Sequence, residues 1–356
     1  MHMADALLAP AVAATMYVAS GTAAGISIHQ LKKDDEPQKL PTMAVAAALV
    51  FAGQMINYTI PGTGSSGHMC GGMLLSALLG PFAGFLSMIV ILTVQCLFFA
   101  DGGLMALGAN IWNMAFYGCF VGYFLIGRPI LHSQWFGDDS RKAGRLRIIA
   151  ASVIGCIVTL QLGAFSVVLE TTLSGITELP FGAFVALMQP IHLAIGLVEG
   201  VVTAAVLVFV YESRPALLMD VDPSAGPGTP RSLRTTLVIL GAVVVLVGGG
   251  LSLLASSHPD GLEWALFGNE AEGYGKNMGL DEENFGVKSD VADTASSIQE
   301  ATSFLPDYAF PGSDSPAGTT VSGLVGSAIV AGLAALICVV GGFFRKRKKN
   351  AQPGTT

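Results

Sequence analysis

Long apolar runs separated by short polar joints dominate the chain. An α-helix needs roughly 20 residues to cross a bilayer. On that measure the runs predict spans at about 6–28, 41–56, 68–80, 82–100, 103–126, 147–169, 181–211, 235–256 and 321–344. The second and third are short. The stretch 69–100 is overlong for one helix, and Gly80-Pro81 inside it favours a turn. The pattern therefore predicts an all-α polytopic membrane protein. A bundle of about seven helices fills residues 1–212, and a two-helix module with an intervening segment at about 257–320 fills 235–344. Between them, 213–234 is rich in Pro, Gly and Ser and reads as a linker. A basic tail, 345–356, follows the last span.

Composition narrows the class. Of 356 residues, 52% are hydrophobic and only 12% are charged, where soluble domains run near a quarter charged. This excludes a disordered chain, and a net charge of −7 gives no pull toward nucleic-acid phosphates. The 44 glycines suit helices packed closely in lipid. Cys70, Cys96, Cys119, Cys156 and Cys338 lie mostly in apolar runs without a CxxC, so they read as small buried hydrophobes rather than bridges.

The placement of charge adds orientation. Sixteen of the 18 Lys and Arg fall in four places: 32–39, 128–147, 214–234 and 345–349. The positive-inside rule makes all four cytoplasmic. That requires three spans between residues 68 and 127, so the break at Gly80-Pro81 gains independent support. The N-terminus is then expected outside and the C-terminus inside, in the cytoplasmic membrane of a prokaryote. No basic n-region or cleavage site opens the chain, so no secretory signal peptide is expected. The segment 257–320 holds 12 of the 25 acidic residues and only Lys276 and Lys288. It reads either as a solvated outer loop or as an acidic surface that draws cations. No spacing in it matches a calcium loop.

The first residues carry candidate chemistry. In Met1-His2-Met3-Ala4-Asp5, the Met1 amine, the His2 amide nitrogen and the His2 imidazole can form fused chelate rings. Three nitrogens in one plane favour Ni(II) or Cu(II). A fourth could come from His68, in the glycine-rich run Pro61–Gly72, because glycines permit close backbone approach. The competing reading is an ordinary polar loop histidine. Asp101 reads as an acceptor that orients His2 or His68, or as a solvated helix start. Asn110 and Asn113 are candidates for the same polar cluster, and Asp5 for neutralising the cation or capping a helix. Met69 and Cys70 read as walls of the site. His192 and Glu199 lie two turns apart on one helix face, and an ionisable Glu199 in an apolar span marks a coupling or structural role rather than ligation. Ala9, Ala13, Ala19 and Ala23 offer a small-residue face for helix contact.

Several strings resemble one family. MHMADALL at the start, SSGHMCGGML at 65–74, ADGGLMALGANIWNMAF at 100–116 and HLAIGLVEG at 192–200 resemble the substrate-binding S component of nickel/cobalt energy-coupling-factor transporters, the NikM/CbiM family. Pro259-Asp260-Gly261-Leu262-Glu263 resembles the PDGLE signature of the NikN/CbiN-like component. The resemblance covers nearly the whole chain and implies a fused NikMN-type protein. It implies metal ligation by Met1, His2 and His68, a seven-helix S component, and a meeting of the small-residue face with a transmembrane T component. MHMADA and SSGHMCGG look like the nickel type rather than the cobalt type, which typically carries MHIMEG and SCSHPTG.

No GxxxxGK[ST] pattern occurs, so no ATP site is expected in this chain, and HExxH is absent. ATP hydrolysis is expected in separate cytoplasmic ATPase subunits that partner the T component. The leading expectation is high-affinity uptake of Ni²⁺, with Co²⁺ by the same mechanism as alternative. A non-transporting metal sensor or store is a second class. A membrane metalloenzyme is disfavoured by the lack of a third protein side chain beside an open coordination position.

Overall fold

The computed structural model describes all residues except 32–38, 138–139, 177, 223–230, 271–272, 274–279, 281–284, 314 and 351–356, and for 39–40, 338 and 340–350 it describes only the helical backbone. Lys32, Lys33, Lys276 and residues 223–230 of the linker thus lie outside the described residues, as do the side chains of Lys39, Cys338 and the basic tail.

The bundle is built from α1 (Pro10–Leu31), α2 (Lys39–Gln54), α3 (Gly72–Leu79), α4 (Pro81–Phe99), α5 (Leu107–Leu131), α6 (Arg141–Leu173) and α7 (Phe181–Ser213). The accessory module adds α8 (Leu233–Gly249), the short α9 (Gly261–Phe267), α10 (Asp290–Thr302) and α11 (Ala317–Asn350). Among the described residues, six helices are long and apolar enough to cross a membrane: α1, α4, α5, α6, α7 and α11. The apolar α2 and α8 are shorter.

The expected span at 68–80 is corrected. Its helix, α3, has 8 residues and rises only about 12 Å. The preceding stretch forms a small ribbon, β1 (Tyr58–Ile60) antiparallel to β2 (Ser65–Gly67), with Tyr58 opposite Gly67. The extended segment from Ser65 and then α3 together carry the chain through the bundle. Irregular backbone survives at such depth where protein rather than lipid surrounds it, and Gly64 to Ser76 are all buried. Gly80 and Pro81 do break the run, with Gly80 at φ +82° and Pro81 opening α4.

Close packing rests on small residues. A Cβ on Gly196 or Gly200 of α7 would stand 2.9 Å from Ile157 Cα or 2.6 Å from Val153 Cα of α6, so this Gly-xxx-Gly pair lets the two long helices touch backbone to backbone. In α1, Ala13, Ser20, Ala23 and Ser27 are the buried residues. Their stripe faces α4 and α5, with Ser20 Oγ donating to Gly108 O at 2.7 Å. Ala9 and Ala19 are half-buried. In α5 the turns over Trp112–Gly127 are π-wide, which aligns residues four apart. Trp112, Phe116, Phe120 and Phe124 form an aromatic row accordingly.

Two ends of the bundle differ. At the end away from Met1, Arg128 Nε lies 3.4 Å from Asp220 Oδ1, Glu212 pairs with Arg141 and Arg145, and Met219 N donates to Ala77 O at 2.8 Å. The start of the linker is thus docked rather than loose. At the other end the segment after α8 folds against the bundle, which departs from a solvated loop. Leu262, Leu266 and Leu305 are buried, and Phe98 and Phe99 stack on Phe304. Apolar residues between its acids supply that docking. The accessory helices α8 and α11 pack on α2, and α11 also on α4.

Candidate metal centre

The N-terminal strand threads into the bundle instead of fraying. Met3 is fully buried, and the Asn110 amide pairs with both of its main-chain groups: Met3 N donates to Oδ1 at 2.7 Å and Nδ2 donates to Met3 O at 3.2 Å. Asp5 Oδ1 accepts from Ala106 N at 2.9 Å, just before α5 begins, and burial raises its carboxyl above the ordinary value against the pull of that amide. Gly103 N donates to Met3 O at 2.9 Å. These bonds leave Met1 and His2 at a fixed depth.

There Met1 and His2 meet the loop after β2. The His2 and His68 rings lie 5.2 Å apart, 20° from parallel. The Met1 amine donates to Asp260 Oδ2 at 3.0 Å, and His68 Nε2 is 4.0 Å from the same oxygen. Burial disfavours the ammonium, but the Asp260 carboxylate opposes it and the net shift of the amine is upward.

Hydrogen-bond partners select which ring nitrogens carry lone pairs. Met69 O lies 3.1 Å from His68 Nδ1. A carbonyl only accepts, so Nδ1 holds the proton and Nε2 is the donor toward a metal. For His2 the argument runs through two glutamines. Gln54 Nε2 donates to Cys70 O at 2.8 Å, and Gln95 Nε2 to Gln54 Oε1 at 2.9 Å. Gln95 Oε1 is then left to accept from His2 Nε2, at 3.3 Å. His2 Nδ1 is the nitrogen that closes a six-membered ring with its own amide nitrogen. Nδ1 faces Asp101 Oδ1 at 3.1 Å, and the Tyr308 hydroxyl donates to the other Asp101 oxygen at 2.5 Å. A lone pair that close to a carboxylate needs a proton or metal ion between them. Among the described residues no three His, Cys, Asp or Glu side chains form a preformed metal cluster. A metal held here therefore needs the main-chain nitrogens.

The other candidates sit around this centre. Glu199 is buried and accepts from Cys70 N at 2.7 Å and Gly71 N at 2.8 Å, so it clamps the loop that carries His68. Gly71 sits at φ +85° against Val50, a conformation closed to other residues at little cost. His192 donates Nδ1–H to Met188 O at 2.8 Å, and its Nε2 has no partner among the described residues. It lines a small cavity of about 10 Å³ with Met1, His68, Cys70 and Asp260. Asn113 lies deeper: its Nδ2 donates to Glu170 Oε2 at 2.8 Å and approaches Met3 Sδ at 3.6 Å. Met69 and Cys70 are buried walls.

Four participants escaped sequence reading: Asp260, Gln54, Gln95 and Glu170. Polar side chains inside apolar runs were the available signal for the last three. Asp260 was visible only as part of a signature. It starts α9, its Oδ1 accepting from Leu262 N at 2.7 Å and Glu263 N at 2.9 Å.

A family model described as the cobalt uptake substrate-specific transmembrane region, CbiM, matches residues 2–217. The chain belongs to the CbiM family. Behind the CbiM region, residues 234–341 match the PDGLE domain. A putative fused nickel transport protein NikMN of Archaeoglobus fulgidus is 35% identical over 339 residues, 94% of this chain and 96% of that one. The fused nickel transport protein NikMN of Rhodobacter capsulatus is 31% identical over 350 residues, again 94% and 96%. Among solved structures, a truncated transition metal transporter aligns with a TM-score of 0.51 at 30% identity, over 59% of this chain and 98% of that chain. The CbiM-type bundle thus carries the centre formed by Met1, His2 and His68, and the PDGLE domain covers it.

Proposed function

We propose that the chain captures Ni²⁺ as the substrate-binding component of an ATP-driven energy-coupling-factor transporter. As a member of the CbiM family it is a multi-pass nickel/cobalt transport component. The preference for Ni²⁺ rests on the donor set. The Met1 amine, the His2 amide and His2 Nδ1 form fused five- and six-membered rings, and His68 Nε2 supplies the fourth nitrogen. A planar nitrogen set suits Ni(II) or Cu(II). The observation that carries this reading is the convergence of the Met1 amine, His2 and His68, with the two rings 5.2 Å apart and the amine and His68 Nε2 both close to Asp260 Oδ2.

Met1 and the PDGLE domain face outward in this reading, and the Arg-rich end faces the cytoplasm. A transmembrane T component and cytoplasmic ATPase subunits supply the energy, since the chain has no phosphate-binding loop of its own. The test is bound nickel measured by mass spectrometry on chain purified with a native N-terminus, beside a variant with one Gly inserted before His2. The insertion breaks the fused rings, so its nickel content is expected to collapse. Equal nickel in both would sink the chelate. Uptake of radioactive nickel in cells with and without the ATPase partners separates transport from storage, because a store accumulates nickel without them.

A further inference from the structure

The cover over the centre offers a metal ligand of its own. A vestibule of about 600 Å³ lies between bundle and PDGLE domain, and among the described residues the carboxylates of Asp5, Asp101, Asp260, Glu263 and Asp307 line it without a Lys or Arg. The small cavity beneath it, beside the Met1 amine, is lined in part by His68 and Asp260. Among the described residues, those two alone line both spaces. Asp260 therefore stands where a cation coming from the vestibule meets the nitrogen site.

Its orientation is fixed from three sides. Oδ1 is occupied by the two amides that start α9, Asp260 N donates to Glu263 Oε2 at 3.2 Å, and the preceding carbonyls are held by Ser66, whose N donates to Pro259 O and whose Oγ donates to His258 O, both at 2.8 Å. Oδ2 is left to point at the site. Nitrogen and oxygen donors sit about 2.1 Å from a transition metal, so adjacent donors are about 3 Å apart and opposite donors about 4.2 Å. The amine lies 3.0 Å and His68 Nε2 4.0 Å from Oδ2. The first distance is that of donors side by side on one ion, the second that of donors across it.

We propose that Asp260 is a metal ligand during loading: it takes a divalent transition-metal cation from the vestibule and sets it between the Met1 amine and His68 Nε2. This rests on the reading of Met1, His2 and His68 as the final site. The cation replaces the ammonium proton that Oδ2 holds, and that proton leaves through vestibule water. No electron moves. When the His2 amide loses its proton to vestibule water in turn and His2 Nδ1 closes the ring, the planar set is complete and the carboxylate leaves the ion.

The test uses the full chain with a native N-terminus in lipid nanodiscs, mixed with Ni²⁺ in a stopped-flow instrument. Asp260→Asn and Asp260→Ser both keep a good helix N-cap and both lose the carboxylate. Removing a charge that focuses cations at a site slows association by about tenfold or more. We expect that loss in both variants, with the absorption band of planar nickel unchanged at saturation. Association equal to the parent's would overturn the proposal and leave Asp260 a helix cap. Faster association would overturn it too, because Asp260 would then block the amine. The variant with a Gly before His2 keeps the two ideas apart. If it retains the planar band, the site reading fails, whatever the Asp260 rates are.

Discussion

A histidine becomes a metal ligand only when its proton is parked elsewhere, and here the parking is done by main-chain and amide oxygens. His68→Ala removes the fourth nitrogen while the loop keeps its clamp on Glu199. Nickel affinity is expected to fall by at least 10–100-fold, about the cost of losing a supporting group at a metal site, with the thermal unfolding midpoint little changed. Calorimetric titration checks it, and undiminished affinity would remove His68 from the site. The pH dependence follows from the amine. Its pKa is raised, so it is protonated at neutral pH. Metal must displace the amine proton and the amide proton, so binding is favoured as pH rises. Between about pH 6 and 8, affinity should climb by about tenfold per pH unit for each proton displaced. A flat profile would mean that neither nitrogen binds.

At the scale of elements, the site depends on a loop that is extended where the hydropathy pattern suggested helix. Apolar composition reports immersion, not backbone conformation, so 68–80 read like any other span. What the pattern lacked was the role of Glu199, two hydrogen bonds to a loop 128 and 129 residues away. A glutamine there would aim one N–H at a backbone donor. Glu199→Gln should cost about 1–3 kcal/mol, the range for a buried group left unsatisfied, and should weaken nickel binding as well. Thermal unfolding and titration together test this, and parent-like values in both would show that the clamp is dispensable. The contact of α6 with α7 depends on Gly196 and Gly200. Gly200→Leu should destabilise the bundle by about 1–3 kcal/mol through overpacking. An unchanged midpoint in detergent would mean that the two helices are not in backbone contact. The small-residue principle was legible in the sequence. Its place was not, because alanines and glycines are too frequent here to single out one pair.

At the scale of the molecule, the sparse charges carry the asymmetry. Met1, His2 and His68 were legible because the first two residues and a glycine-flanked histidine have a chemistry that spacing reveals. Asp260 was not, because it reaches the site from another domain, 192 residues beyond His68. The same asymmetry gives a kinetic prediction. Among the described residues the vestibule is lined by five carboxylates and by no Lys or Arg, so it should concentrate divalent cations through a field that salt screens. The Debye length falls from about 30 Å at 0.01 M to about 3 Å at 1 M, so raising salt across that range removes attraction beyond contact distance. Nickel association should then slow by about tenfold or more, within the span seen for electrostatic steering, while dissociation stays nearly constant because the planar nitrogen set is not a surface ion pair. Stopped-flow rates in a non-coordinating salt measure both. If association ignores salt, the acidic lining does not steer the metal. If dissociation changes instead, salt acts on the bound state, and the vestibule is only a passage.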